Sequence, residues 1–146
     1  MDELNYEGLK LKNQLCFPLY AAAKEIVRKY RPYLDEIDLT YTQYITMMVM
    51  WEDKQINVKE LGQRLFLDSG TLTPVLKSLE RKGYLSRKRS QKDERILEVS
   101  LTAEGEALKE RAAHIPKAVS GCVQLEEKEA VTLYGLLYKV LGSLSE

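Results

Sequence analysis

A chain of 146 residues with 45% hydrophobic and 30% charged side chains is about one domain long and can bury a core without metals or disulfides to hold it. That balance excludes a disordered chain, and no apolar run is long enough to span a bilayer. Formal net charge is zero, which taken alone argues against nucleic acid, yet eight basic residues against three acidic ones lie between Lys77 and Arg95, a basic stripe on a neutral protein.

Apolar residues from Leu9 to Leu34 (Leu9, Cys16, Leu19, Tyr20, Ala23, Val27, Tyr30, Leu34) mostly fit a helix with one buried face. Pro18 interrupts it, so either a fresh helix starts near Leu15 to Phe17 or a longer one kinks, and both readings leave Cys16 at an irregularity. After Pro32 and an acidic turn over Asp35 to Asp38, Thr40 to Glu52 reads as a helix with Thr42 as its expected N-cap. Asn57 caps a short helix carrying Val58, Leu61 and Leu65. A further helix begins within Asp68 to Thr71, buries Leu72, Leu76 and Leu79, and stops at Gly83. The period then changes: Leu85 to Arg89, a polar turn over Ser90 to Glu94, and Arg95 to Leu101 form a two-stranded hairpin with a basic tip. Thr102 caps a helix that ends around Ile115-Pro116, and a last helix from about Glu126 carries Val131, Tyr134, Leu137, Tyr138, Leu141 and Leu144.

Helix, helix, turn, helix and basic hairpin is the order of a winged helix-turn-helix, mainly α with a small β-hairpin wing. In that fold Ser69, Thr71, Thr73 and Lys77 face double-stranded DNA from the second helix, and Arg87, Arg89, Lys92 and Arg95 from the wing. The long apolar segments at both ends exceed what one winged helix needs. We therefore expect a single domain over 1–146 whose segments of about 5–36 and 117–146 pair two copies into a homodimer around a DNA-binding lobe of about 40–101, reading a pseudo-palindromic operator. Cys16 and Cys122 show neither a disulfide framework nor zinc-type spacing, and the acidic start MDELNYEGLK is unlike a signal peptide, so a reducing cytoplasm is the expected home. The one histidine, His114, supports neither a catalytic triad nor a multi-histidine metal site; no metal, cofactor, membrane partner or enzymatic activity is expected. His114 is expected to pack near Pro116, and Trp51 to anchor core or interface.

Leu67-Asp68-Ser69-Gly70-Thr71-Leu72-Thr73, Lys82-Gly83-Tyr84-Leu85, Asp93-Glu94-Arg95 and Leu101-Thr102-Ala103-Glu104-Gly105 resemble the multiple-antibiotic-resistance regulator (MarR) family. Asn13-Gln14-Leu15-Cys16-Phe17-Pro18-Leu19-Tyr20-Ala21 and Leu39-Thr40-Tyr41-Thr42-Gln43-Tyr44 are similar to its organic-hydroperoxide resistance branch. The resemblance implies a dimeric repressor that leaves its operator when Cys16 is oxidised by organic hydroperoxide, with Tyr30 and Tyr41 hydrogen-bonding to that thiol across the dimer. It also implies that Cys122 captures the oxidised Cys16 as an intersubunit disulfide. Two other readings stay open: a repressor of the same fold released by a small aromatic ligand, with Cys16 structural and Tyr20, Tyr30, Tyr41 and Tyr44 lining the pocket, and a thiol peroxidase.

Overall fold

Proline decides where the first long helix starts. In the computed structural model, which describes residues 5–145, α1 (Cys16–Asp35) begins two residues before Pro18, where a missing N–H costs nothing because first-turn donors have no intrahelical acceptor. The helical periodicity does not extend back to Leu9. Instead Tyr6–Leu9 and Leu11–Asn13 form two 3-10 turns, held by Asn13 Nδ2 donating to the Glu7 carbonyl at 2.9 Å and Gln14 Nε2 to that of Gly8 at 2.6 Å. Residues 1–4 and 146, which the single-domain expectation includes, lie outside the described residues.

Helix α2 (Tyr41–Asp53) is capped by Thr40, not Thr42. Thr40 has the extended backbone that aims its hydroxyl at the Gln43 N–H (3.3 Å), while Gln43 Oε1 accepts from the Thr40 N–H at 3.0 Å; Thr42 lies inside the first turn, where its backbone is helical. Tyr44, Met47 and Met50 are buried along one face. Strand β1 (Gln55–Asn57) follows, and Asn57 Oδ1 caps α3 (Val58–Leu65) through the Glu60 N–H at 2.8 Å. Phe66, with φ 54°, ends α3 in the left-handed region. Asp68 Oδ1 then caps α4 (Ser69–Arg81) by accepting from the Thr71 N–H at 2.7 Å. Leu72, Leu76 and Leu79 are buried as expected, joined by Val75, and Gly83, with φ 84°, makes the turn after α4.

The sheet has three antiparallel strands, not two, in the order β1-β3-β2, with β2 spanning Leu85–Arg89 and β3 Leu97–Leu101. Val99 pairs with Ile56 on one side and Arg87 on the other. Arg95 and Ile96, expected in the second strand, belong to the turn: the Ile96 N–H donates to the Asp93 carbonyl at 3.0 Å. Thr102 caps α5 (Ala103–Ala112) through the Gly105 N–H at 3.1 Å. Trp51, half-buried, donates its indole N–H to the Gly105 carbonyl at 2.8 Å. Helix α5 stops at Ala112, short of the expected Ile115-Pro116. Pro116 instead takes the second position of a new helix, α6 (Ile115–Ser120), where proline is tolerated for the same reason as Pro18. His114 is exposed and meets Tyr33 edge-on at 6.4 Å. This is a winged helix-turn-helix, α3 and α4 forming the helix-turn-helix and β2–β3 the wing.

The chain divides into two compact units, the first ending at Ile115 and the second beginning at Pro116. In the second, α7 (Glu127–Leu144) starts from a capping box of Glu126 with Glu129 and exposes Val131, Tyr134, Leu136 and Tyr138. No helix among the described residues is long and apolar enough to cross a membrane.

Gly105, in the first turn of α5, packs tightly against Tyr84 and Leu101. An added Cβ would lie 2.7 Å from Leu101 Cδ1 and overlap the Tyr84 carbonyl oxygen, and backbone cannot yield as a side-chain tip does. Gly105→Ala is expected to destabilise by about 1–3 kcal/mol in urea denaturation. An unchanged midpoint would contradict the packing described.

Candidate functional site

Two groups of residues that the sequence singles out fall in separate places within the first unit, the basic surface of α4 and the wing, and the aromatic junction of α1 with α2. On α4, Ser69, Thr73 and Lys77 follow each other at i, i+4 along one face. Ser69, Thr71 and Lys77 are exposed and Thr73 is half-buried. The partial positive charge of the helix N-terminus adds to this face. Hydrogen bonds from Thr71 hold the Asp68 carboxyl below the usual carboxylate range, so the cap stays ionised. An open cleft of about 450 Å³ lined by Thr73, Pro74, Lys77, Glu80, Arg81 and Arg87 runs between α4 and β2.

Arg87 is not a free surface cation. Its Nε donates to Glu80 Oε2 at 3.1 Å, and this bond holds the Glu80 carboxyl below its ordinary value; the pair braces β2 against α4. Arg89 and Lys92 are exposed. At the tip, Asp93 accepts from Arg95 three times, from its backbone N–H at 3.0 Å and from Nε and Nη2 at 3.1 Å each. The side-chain bonds, then the backbone one, keep the Asp93 carboxyl low. The Arg95 side chain remains 90% exposed, so its guanidinium is aimed without being covered. Asp93 and Glu80 enter the sequence reading only as opposing charges or as part of a family tag. The two-residue spacing of Asp93 and Arg95 was the signal for a side-chain-to-backbone turn.

Cys16 is the first residue of α1 and is exposed. Tyr30 meets Tyr41 edge-on at 5.1 Å between ring centroids and Tyr44 at 5.7 Å, while Tyr41 and Tyr44 are 6.3 Å apart. The expected pair is thus a trio, with the buried Tyr44 as its inner member. Burial first, then the charge of Tyr30, raises the Tyr41 phenol. Burial, then Tyr30 and Tyr41, pushes Tyr44 up to about 12. Both are neutral hydroxyl donors at physiological pH. Cys16 and Tyr30 are fourteen residues apart on one helix, which fixes them about 21 Å apart along its axis. The structure does not bring Cys16 to the phenols of its own chain. Cys122, exposed, lies in the second unit between α6 and α7, its N–H donating to the Val119 carbonyl at 2.9 Å. Beside the tyrosines, a cavity of about 310 Å³ is lined by residues that include Val27, Arg31, Leu39 and Tyr41; Tyr20, Tyr30 and Tyr44 do not line it. Among the described residues no cluster could hold a metal ion.

A tyrosine whose folded-state value is raised stabilises the fold fully below its ordinary value near 10.0, and that contribution is lost as pH climbs toward about 12. Urea midpoints are therefore expected to fall across this window in wild type and to fall less steeply in Tyr44→Phe. Equal slopes would contradict the assignment.

Comparison with known proteins places the chain in a family of regulators. The family model for the transcriptional regulator SarA/Rot matches residues 25–112. The organic hydroperoxide resistance transcriptional regulator of Bacillus subtilis (strain 168) is 42% identical over 144 residues, 99% of this chain and 98% of that protein. The HTH-type transcriptional regulator SarZ of Staphylococcus aureus (strain USA300) is 51% identical over 124 residues, 85% of this chain and 84% of the other. Among solved structures, reduced AbfR bound to DNA is similar with a TM-score of 0.79 at 34% identity, covering 98% of this chain and 100% of that one; AbfR has also been solved from Staphylococcus epidermidis. Overoxidised AbfR bound to DNA gives 0.77 at 33% identity, covering 97% and 99%, and disulfide-formed AbfR 0.67 at 33%, covering 96% of each chain. Matched by that family model over more than half its length, and along nearly all of it by a 42% identical regulator, the chain belongs to the MarR family of transcriptional regulators, in its organic hydroperoxide resistance branch.

Proposed function

We propose that this chain is a homodimeric, cytoplasmic transcriptional repressor, not an enzyme, that holds a pseudo-palindromic operator through α4 and the wing and releases it when Cys16 is oxidised by an organic hydroperoxide. The observation that carries the redox half is the separation along α1. An exposed thiol at the first position of the helix and neutral phenols about 21 Å further along form one site only if a second copy supplies Tyr30 and Tyr41. Two phenol donors from the second copy would hydrogen-bond to the Cys16 sulfur and hold it in place for attack on a peroxide. The Cys16 sulfur attacks the terminal peroxide oxygen, the O–O bond breaks, the departing alkoxide takes the proton given up by the thiol and leaves as the alcohol, and cysteine sulfenic acid remains. Attack by the Cys122 sulfur of the second copy on the sulfenic sulfur then forms the disulfide, and the sulfenic hydroxyl leaves as water with the proton of the Cys122 thiol. Overoxidised AbfR is found on DNA, which favours disulfide formation over overoxidation as the releasing event here.

On the DNA side, Ser69, Thr71, Thr73 and Lys77 face the major groove, and Arg95, aimed by Asp93, reaches the minor groove with Arg89 and Lys92 on the adjacent backbone. Arg87 acts chiefly as the brace to Glu80. The cavity whose lining includes Arg31, Asp35 and Tyr41 supports a second reading, release by a small aromatic ligand held there, with Cys16 structural.

Fluorescence anisotropy on a labelled duplex from the region upstream of the chain's own coding sequence separates the two. After one equivalent of cumene hydroperoxide, wild type is expected to lose affinity by tenfold or more, in the ordinary range of coupling, and Cys16→Ser to stay bound. Equal retention by both sinks the redox reading and leaves the ligand reading standing. Arg95→Ala is expected to weaken reduced binding about tenfold and to flatten its salt dependence by roughly one contact. An unchanged salt slope would remove Arg95 from the interface.

A further inference from the structure

Gln43 is a polar side chain buried to 7% exposure, and its contacts join three elements. Its Oε1 closes the capping box at the start of α2 by accepting from the Thr40 N–H at 3.0 Å and also accepts from Lys82 Nζ at 3.3 Å. Its Nε2 donates to Ser78 Oγ at 2.9 Å. Ser78 is on α4 and Lys82 is that helix's C-cap, four residues on, so both fall on one face. Lys82 Nζ in turn donates to the Asp38 carbonyl and lies 3.5 Å from the Asp38 carboxylate. Asp38 itself, with φ 52°, is in the left-handed region in the turn joining α1 to α2. No buried side-chain nitrogen or oxygen among the described residues is left without a partner, so this connection is fully satisfied.

A cap alone does not need this arrangement. Thr40 and Asn57 each cap a helix, but only the Thr40 box is tied across to the helix that presents Ser69, Thr71 and Thr73. The same first turn of α2 carries Tyr41, two residues before Gln43. The box ties the residues on either side of Tyr41 together, so a shift of the backbone at Tyr41 is carried to Gln43, and the Gln43 amide is bonded directly to α4.

We propose that Gln43 is the positioning residue through which the phenol end of α2 sets the pose of α4, so that a change at Tyr41 reaches the DNA-facing helix through Ser78 and Lys82. This rests on the thiol-switch reading above. It assigns the coupling to a hydrogen-bonded link rather than to apolar packing of α2 on α4, and polar links of this kind have two discrete states, made or broken.

The test uses full-length protein in four forms: wild type, Gln43→Met, Gln43→Glu and Ser78→Ala. Each is titrated onto the labelled upstream duplex, reduced and after one equivalent of cumene hydroperoxide, with thermal melts in parallel. The readout is the ratio of reduced to oxidised affinity, which a purely structural role would not move. Gln43→Met and Ser78→Ala are expected to bind when reduced and to lose the response, the ratio dropping about tenfold toward one. Gln43→Glu, whose carboxylate still accepts from the Thr40 N–H, Lys82 and Ser78, is expected to keep it. A melting temperature lowered in Gln43→Met with the wild-type ratio intact overturns the proposal, and should that variant fail to fold, an intact ratio in Ser78→Ala overturns it equally. If wild type itself does not release DNA, the thiol-switch reading fails and this proposal fails with it, whereas release by wild type with unchanged ratios in the variants removes this proposal alone.

Discussion

Burial of the face of α2 that carries Tyr44, Met47 and Met50 holds the first unit together, because α2 packs on α1, α3, α4, α5 and two of the three strands. Shortening a fully buried methionine to alanine costs about 2–5 kcal/mol where a whole domain is stable by about 5–15 kcal/mol. Helix α2 is therefore the element on which most of the first unit's packing depends. Much of the candidate site lies on or against it: the tyrosines at its first turn, α4 along its side, and the sheet that carries the wing. An element packed on so many neighbours shifts as a body rather than bending, which suits it to link the tyrosines at its first turn with α4 beside it.

The polar contacts have a different task from the apolar ones. Exposed ion pairs such as Asp93 with Arg95 add little to stability, but they restrict a long, otherwise free side chain, and an arm held in place loses less entropy when it meets a groove. Glu80 with Arg87 does the same for the angle between β2 and α4. The neutral whole-chain charge is compatible with this arrangement, since the basic residues are concentrated where phosphates would lie and the balancing acids sit elsewhere or clamp the cations. Such a surface binds through placement, with less general stickiness than a uniformly basic one.

Much of the fold was legible in the sequence, and the exceptions have physical causes. The helices announced themselves by period and by caps with local chemistry, Asn57, Thr102 and Gly83 among them. Strand β1 did not, because three residues with one buried side chain, Ile56, are too short to alternate; it exists because β3 offers an open edge. Thr42 was the wrong cap because two threonines two residues apart carry the same propensity, and only backbone geometry chooses Thr40. Pro116 read as a stop although it sits near a start, since proline suits both places and composition does not tell them apart. At the site, the positions of Ser69, Thr71, Lys77 and Arg95 followed from helix and hairpin periodicity. The Asp93 clamp on Arg95 is local and its two-residue spacing could have been read, whereas the pairing of Arg87 with Glu80 and the contacts of Gln43 with Ser78 and Lys82 are medium- or long-range and no local pattern encodes them. Cys16, Tyr30 and Tyr41 came from resemblance, and the length of α1 separates Cys16 from Tyr30 of the same chain by about 21 Å along the helix axis.

The central claim is that each reactive thiol is completed by the phenols of a second copy. Co-expressed Cys16→Ser and Tyr30→Phe/Tyr41→Phe chains form mixed dimers in which one site has both its thiol and its tyrosines and the other has neither, and stopped-flow oxidation by cumene hydroperoxide reads the difference. The account predicts slow oxidation in the Tyr30→Phe/Tyr41→Phe homodimer and a fast phase at the wild-type rate in the mixed dimer, where every remaining Cys16 faces intact tyrosines. Oxidation of the mixed dimer no faster than that of the tyrosine-variant homodimer would contradict it.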